Sequence, residues 1–232
     1  MESYRDVLVE LGFVAVALAL YLLVREYTDG RTGEAVANAR DVLAVERWLG
    51  VDWEHATQDA TLAVPWLSAF VTQFYVWGYF PAVFGTLGWL FVRHRDDYRP
   101  FRNALLASGV VGLVVYAVYP CAPPWIGGEG FTDTVATDSL EAMARPEGIT
   151  NHLGAIPSFH VGWLILAGWA VFRVARPGLV RVLCVLWPAT MAYAVVATGN
   201  HWVLDIPAGA ALAAIGILVS RRPAGSPPRP AP

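Results

Sequence analysis

His201 and Asp205 stand four residues apart in the run Thr198-Gly-Asn-His-Trp-Val-Leu-Asp205. At the start of a helix that spacing puts both side chains on one face, so the carboxylate can accept a hydrogen bond from one imidazole nitrogen. The other nitrogen then presents its lone pair outward, and the carboxylate stabilises the positive charge the ring acquires on attacking phosphorus. His160 supplies a second imidazole. It follows Pro157 and Ser158 at the head of an apolar run, where unpaired N–H groups and the helix dipole favour an anion such as phosphate. Ser158 can cap that helix or add a hydroxyl donor. Because imidazole titrates near neutral pH, His160 suits protonation of a leaving oxygen. The chemistry these residues describe is phosphoryl transfer, with His201 as nucleophile, Asp205 as its orienting group and His160 as general acid. Pro157, Ser158, Asn200 and Arg145 are the candidate substrate-binding residues.

Each residue also has a plainer reading. A single histidine at a membrane edge is ordinarily an interfacial polar group; a His-x3-Asp pair in an apolar helix, level with a second histidine, has few structural reasons to exist. A zinc site lacks a third protein ligand at suitable spacing, although His152 could be recruited. The expectation is metal-independent chemistry without a cofactor. His55 and His94 fall in loops and read as solvated. Cys121 and Cys184 lie far apart with no metal-type spacing, so neither a disulfide nor a metal site is expected.

The elements that must hold this constellation are those of a membrane protein. Of 232 residues, 56% are hydrophobic and 15% charged, well below the charge of an ordinary soluble domain. A net charge of −3, with all sixteen basic residues arginine and set between apolar runs, argues against nucleic acid and for membrane lipids as partners. A bilayer core of about 30 Å needs roughly 20 apolar residues as helix, and six such runs occur, at 7–24, 64–92, 103–119, 158–172, 179–198 and 202–220. The first carries Glu10 and is preceded by a mixed-charge leader without a small-residue cleavage site, so it reads as a retained span. The second contains Pro65 and Pro81 and is expected to kink or tilt. Between these two runs, residues 35–49 alternate apolar and charged positions at helical spacing and include Trp48, the pattern of an interfacial amphipathic helix. The fold class is therefore all-α, with six transmembrane helices and one interfacial helix in a single membrane domain, 1–222. The tail, 223–232, is rich in Pro, Ala, Gly and Ser and is expected to be disordered.

With both termini cytoplasmic, eleven of the sixteen arginines fall on inner segments, as the positive-inside rule requires. The three segments rich in glycine, proline and polar residues, 119–126, 155–162 and 198–205, then lie together at the extracytoplasmic face.

Pro-Ser-Phe-His160 and His201-Trp-Val-Leu-Asp205 resemble the second and third signatures of the type 2 phosphatidic acid phosphatase superfamily. With Tyr119-Pro-Cys-Ala-Pro-Pro-Trp125, they are most similar to its inositol phosphorylceramide synthase branch, over about residues 46–213. The resemblance implies a phosphohistidine at His201, protonation of the departing group by His160, orientation by Asp205, and a lipid phosphate substrate. This chain departs from the full phosphatase pattern: it contains no lysine, Ala194 and Val195 precede the third signature where a Ser-Arg pair is expected, and Trp125 stands where bacterial relatives carry arginine. Those departures lean from hydrolysis towards head-group transfer to an alcohol. A silent membrane protein or transporter of the same fold is the reading from a different class.

Overall fold

The computed structural model describes residues 4–128, 130–136 and 148–221. Arg145 and the 223–232 tail lie outside the described residues. Among the described residues ten helices follow one another: α1 (Tyr4–Thr28), α2 (Thr32–Leu49), α3 (Glu54–Leu62), α4 (Pro65–Trp77), α5 (Phe80–Arg93), α6 (Arg95–Val118), α7 (Pro124–Gly127), α8 (Phe159–Val174), α9 (Leu179–Ala197) and α10 (Asp205–Ser220). Among the described residues there is no strand, and Cys121 and Gly154 form an isolated parallel bridge.

Three helices are long and apolar enough to cross a bilayer: Val7–Thr28 within α1, then α6 and α9; α4 and α5 together make a fourth, bent by 42°. The two remaining apolar helices, α8 and α10, have 16 residues each. At about 1.5 Å per residue each spans roughly 24 Å, short of a 30 Å core. Among the described residues the count by length and composition is thus three, or four with the bent pair, against the six expected. Helix α8 coincides with the expected run 158–172 but is short, whereas α10 starts at Asp205 rather than 202 because the residues before it form a polar turn.

The bend sits where Pro81 predicts it. Pro65 and Pro81 both occupy first-turn positions, where a missing N–H is no loss, and the chain breaks between them at Gly78 and Tyr79. The indole of Trp187 donates to the Gly78 carbonyl at 2.9 Å, satisfying an acceptor at the break. Glu10, a carboxylate in an otherwise apolar helix, accepts from the Tyr98 hydroxyl at 2.7 Å and from the Arg102 guanidinium. Unpaired, such a charge in lipid would be strongly unfavourable. Arg102 also lies over the Phe13 ring, and Arg173 pairs with Asp97. These pairs mark the end of the bundle opposite residues 119–126, because α6 carries its arginines at its start and reaches the polar segments at its end.

The helices at the centre are α6, α8 and α10. They approach closely through glycine: a Cβ on Gly162 would lie 2.6 Å from the Gly209 carbonyl oxygen, and one on Gly209 would lie 2.5 Å from that of Ser158. A backbone oxygen cannot move aside as a flexible side chain can. Gly209→Ala is therefore expected to destabilise the protein by about 1–3 kcal/mol, the usual range for overpacking, read as a lowered thermal midpoint in detergent. Gly12→Ala, where a Cβ would meet nothing within 4 Å, should leave the midpoint close to wild type.

Candidate active site

The three polar segments are hydrogen-bonded into one unit. Cys121 N–H donates to Leu153 O at 2.8 Å and Ala155 N–H to Cys121 O at 3.0 Å, while Trp125 N–H reaches Gly199 O at 3.2 Å. The Trp202 indole, fully buried, donates to Ala122 O at 2.9 Å. Residues 119–126, 155–162 and 198–205 thus meet at one end of the bundle, as expected.

His201 is not on a helix. Helix α10 begins at Asp205, and His201 belongs to the turn that leaves α9. There Gly199 adopts φ +73°, the left-handed conformation that lets glycine reverse the chain, and the N–H groups of Asn200 and His201 both donate to Val195 O. The turn still brings the pair together. His201 Nδ1 lies 3.0 Å from Asp205 Oδ2 and 2.7 Å from Ala155 O. Both neighbours are acceptors, so Nδ1 carries the proton and Nε2 holds the lone pair. Asp205 Oδ2 also accepts the Trp202 N–H at 2.9 Å, which ties the carboxylate to the turn it orients.

Ser158 is the N-cap of α8, its hydroxyl accepting the Val161 N–H at 3.3 Å, and its Oγ lies 3.5 Å from His201 Nε2. His160, in the first turn of α8, faces the same centre: its ring is 5.6 Å from that of His201, at an interplanar angle of 70°. Tyr75 and Tyr79 pack against His160 at 4.7 and 4.4 Å between ring centroids, so the break between α4 and α5 delivers Tyr79 to the site. Pro157 is buried, and its carbonyl accepts the Tyr116 hydroxyl at 2.9 Å. The Asn200 amide donates to Thr198 Oγ1 at 2.8 Å, inside its own turn. His152 packs edge-on against Trp125. His55 stacks on Phe131 and His94 lies against Trp89. Among the described residues no three His, Cys, Asp or Glu side chains gather so as to hold a metal ion, and Cys121 and Cys184 are free thiols.

Sequence reasoning missed the two glutamates behind the turn. Glu46 of α2 and Glu54 of α3 are 0% and 1% exposed. Glu46 Oε1 accepts the Leu204 N–H and Glu54 Oε1 the Val203 N–H, each at 2.8 Å. A signal was present: Glu46 continues the stripe Ala35, Ala39, Val42 that α2 buries against the protein, so a charge stands where the helical period calls for an apolar residue. Arg31 and Asn38, which flank this stripe, donate to Ala117 O and Pro120 O at 2.6 and 2.8 Å. Helix α2 is thereby fastened to the 119–126 segment.

A family model described as the PAP2 superfamily matches residues 40–219. The chain belongs to the PAP2 superfamily. Among curated proteins it is similar to phosphoinositol dihydroceramide synthase of Bacteroides thetaiotaomicron, with 25% identity over 166 residues; that alignment covers 64% of this chain and 54% of the synthase, so the chain spans about half the length of this relative. Among solved structures it resembles the crystal structure of Aquifex aeolicus LpxE, with a TM-score of 0.56 and 19% identity over 73% of this chain and 91% of LpxE, a likeness of fold.

Burial, and then the neighbouring Glu54, push the Glu46 carboxyl up to about 9. A carboxyl raised in the folded state binds its proton more tightly there than in the unfolded chain. Its contribution therefore favours the fold at low pH and is lost as pH rises from about 4.5 through about 9. In Glu46→Gln that slope should be gone: the variant gains stability relative to wild type as pH increases across this window, measured by thermal unfolding in detergent. Parallel curves for the two proteins would show that Glu46 does not titrate there.

Proposed function

We propose that this protein is a membrane-embedded phosphatase or phosphotransferase acting on lipid phosphates through a phosphohistidine intermediate. The observation that carries the reading is the single tautomer imposed on His201 by two acceptors at Nδ1, with Nε2 turned towards a second histidine 5.6 Å away between ring centres. A phosphorus atom within contact of Nε2 on one side, and with its leaving oxygen within hydrogen-bond reach of His160 on the other, needs rings at about this separation.

In the first step His201 Nε2 attacks phosphorus. The N–P bond forms as the bond to the leaving oxygen breaks, and His160 gives that oxygen its proton. Asp205 balances the positive charge on the phosphorylated ring. In the second step water or an alcohol, deprotonated by His160, attacks phosphorus and releases His201. The N-terminus of α8, capped by Ser158, favours a phosphate through its helix dipole. Ser158 joins it there, with Pro157, Asn200 and Arg145 as further substrate-binding groups. No metal or cofactor enters this scheme. In the full reading α1, α4 with α5, α6, α8, α9 and α10 are six spans, both termini are cytoplasmic and the site opens at the extracytoplasmic leaflet of a bacterial plasma membrane.

Hydrolysis and transfer share the first step and differ in the second. Similarity to a phosphoinositol dihydroceramide synthase favours an alcohol acceptor, as does the absence of lysine from the chain. Purified protein given a panel of lipid phosphates, with chelator and with or without an alcohol such as inositol, should release free phosphate or form a new phosphodiester lipid, read by mass spectrometry. His201→Ala and His160→Ala should lose turnover. Asp205→Asn, which removes the charge while Ala155 O still accepts from Nδ1, should lower kcat by roughly a thousandfold. Turnover surviving in His201→Ala would refute the phosphohistidine, and an inert wild type would favour the silent membrane protein or transporter.

A further inference from the structure

The first N–H groups of a helix have no partner within it and are ordinarily satisfied by a local Ser, Thr, Asp or Asn side chain. In helix α10 the need is met by the preceding turn: the N–H groups of Asp205 and Ile206 donate to Trp202 O and Val203 O. The turn itself is closed from outside. Asp205 Oδ2 is committed to His201 and to Trp202 N–H, and the N–H groups of Val203 and Leu204, just ahead of the helix, are taken by Glu54 and Glu46, 149 and 158 residues earlier in the chain. Two buried carboxyl groups brought from separate helices do something more specific: they fix the backbone two and three residues after His201.

We propose that Glu46 and Glu54 are positioning residues for His201, clamping the turn that carries the nucleophile through the N–H groups of Leu204 and Val203 while sharing one proton between their carboxyl groups. The inference rests on the phosphotransfer reading for its catalytic consequence and on the hydrogen bonds alone for the clamp. The shared proton follows from the contacts. Glu46 Oε2 is buried and receives no N–H or O–H donor, and the Glu54 carboxyl lies against Glu46. An oxygen in that position is satisfied if it carries the proton and donates to Glu54. Asp205 is the third carboxyl within electrostatic reach of the pair, so three full negative charges around one imidazole are reduced to two.

The groups that face Glu46 are Glu54 from α3, Asp205 from α10 and Cys121 from the 119–126 segment, with His201 beyond Asp205. On its own helix Arg47 points away, 66% exposed and 4.0 Å from Asp52. Loss of the shared proton therefore adds a negative charge among carboxyl groups in a low-dielectric setting, which drives the pair apart and loosens the turn. The raised Glu46 carboxyl places this event on the alkaline side, near pH 9.

The test uses full-length protein in detergent and three variants. Glu46→Gln copies the protonated state permanently and keeps an oxygen for Leu204 N–H; Glu54→Gln does the same opposite Val203; Glu46→Leu removes the acceptor. Hydrogen exchange over residues 201–206 reads the clamp without reference to activity. Glu46→Leu should speed exchange of the Leu204 amide by about tenfold or more, an expectation for loss of a buried hydrogen bond. With a lipid phosphate turned over by wild type, Glu46→Leu should lower kcat by roughly 10- to 100-fold with KM changed less than about threefold, since misaiming a bound reactant acts on the chemical step. Glu46→Gln should retain more activity than Glu46→Leu and lose the alkaline limb that wild type shows near pH 9. Unchanged Leu204 exchange in Glu46→Leu, or an alkaline limb identical in Glu46→Gln and wild type, overturns the proposal; should Glu46→Leu not fold, the two Gln variants still decide it through exchange and the pH profile. If wild type turns over no lipid phosphate, the phosphotransfer reading falls, and the exchange data alone establish or refute the clamp.

Discussion

The hydrogen bonds at His201 Nδ1 are the constraint on which the rest of the arrangement depends. One proton faces two acceptors, Asp205 Oδ2 and Ala155 O, and these come from different segments. To place them both, the turn after α9 must meet the segment before α8, and the loop after α6 must support each. The Cys121–Gly154 bridge and the Trp202 indole on Ala122 O provide that support. Away from bulk water backbone donors and acceptors are strongly driven to pair within the protein, and those of the three polar segments lock the turns together.

The surrounding helices are shaped by the same requirement. Glycines at 162 and 209 let α8 and α10 approach until backbone touches backbone, which sets His160 beside the turn between α9 and α10. The break at Gly78 and Tyr79 would expose a carbonyl to an apolar environment, and Trp187 covers it; the same break presents Tyr79 to His160. At the other end Glu10 is tolerated because Tyr98 and Arg102 surround it. Arg102 of α6 is thereby occupied away from the histidines. Helix α6 has 24 residues, or about 36 Å at 1.5 Å each, which separates its arginine-rich start from the site by the thickness of a membrane core.

Helices α2 and α3 form a separate layer over the polar turns, and they contribute charge to a face that an amphipathic helix would ordinarily keep apolar. Gln58 of α3 bonds to Thr132 through both ends of its amide and to Ala197 O, so this layer also holds the loop that follows α7. The turn that carries His201 sits between the glycine-packed helices on one side and this layer on the other.

What the sequence determined by itself was the class of the chain and which polar segments come together at one end of the bundle. Apolar run length follows directly from the thickness of the bilayer core, proline and glycine mark where helices start and break, and a His-x3-Asp pair beside Pro-Ser-Phe-His carries its own chemical meaning. These are local properties, legible without the fold. The tertiary structure decided the rest. The run 158–172 is helix from Phe159 as expected, but 202–220 is helix only from Asp205, because local bonds to Val195 O and the long-range bond from the Trp202 indole to Ala122 O hold 198–204 as a turn. The second acceptor on Nδ1 is a backbone carbonyl, which no side-chain pattern can announce. Glu46 and Glu54 were not singled out by the sequence because their partners are backbone N–H groups about 150 residues away; only the packing of α2 and α3 onto the turn takes them out of water and gives those carboxyl groups something to hold.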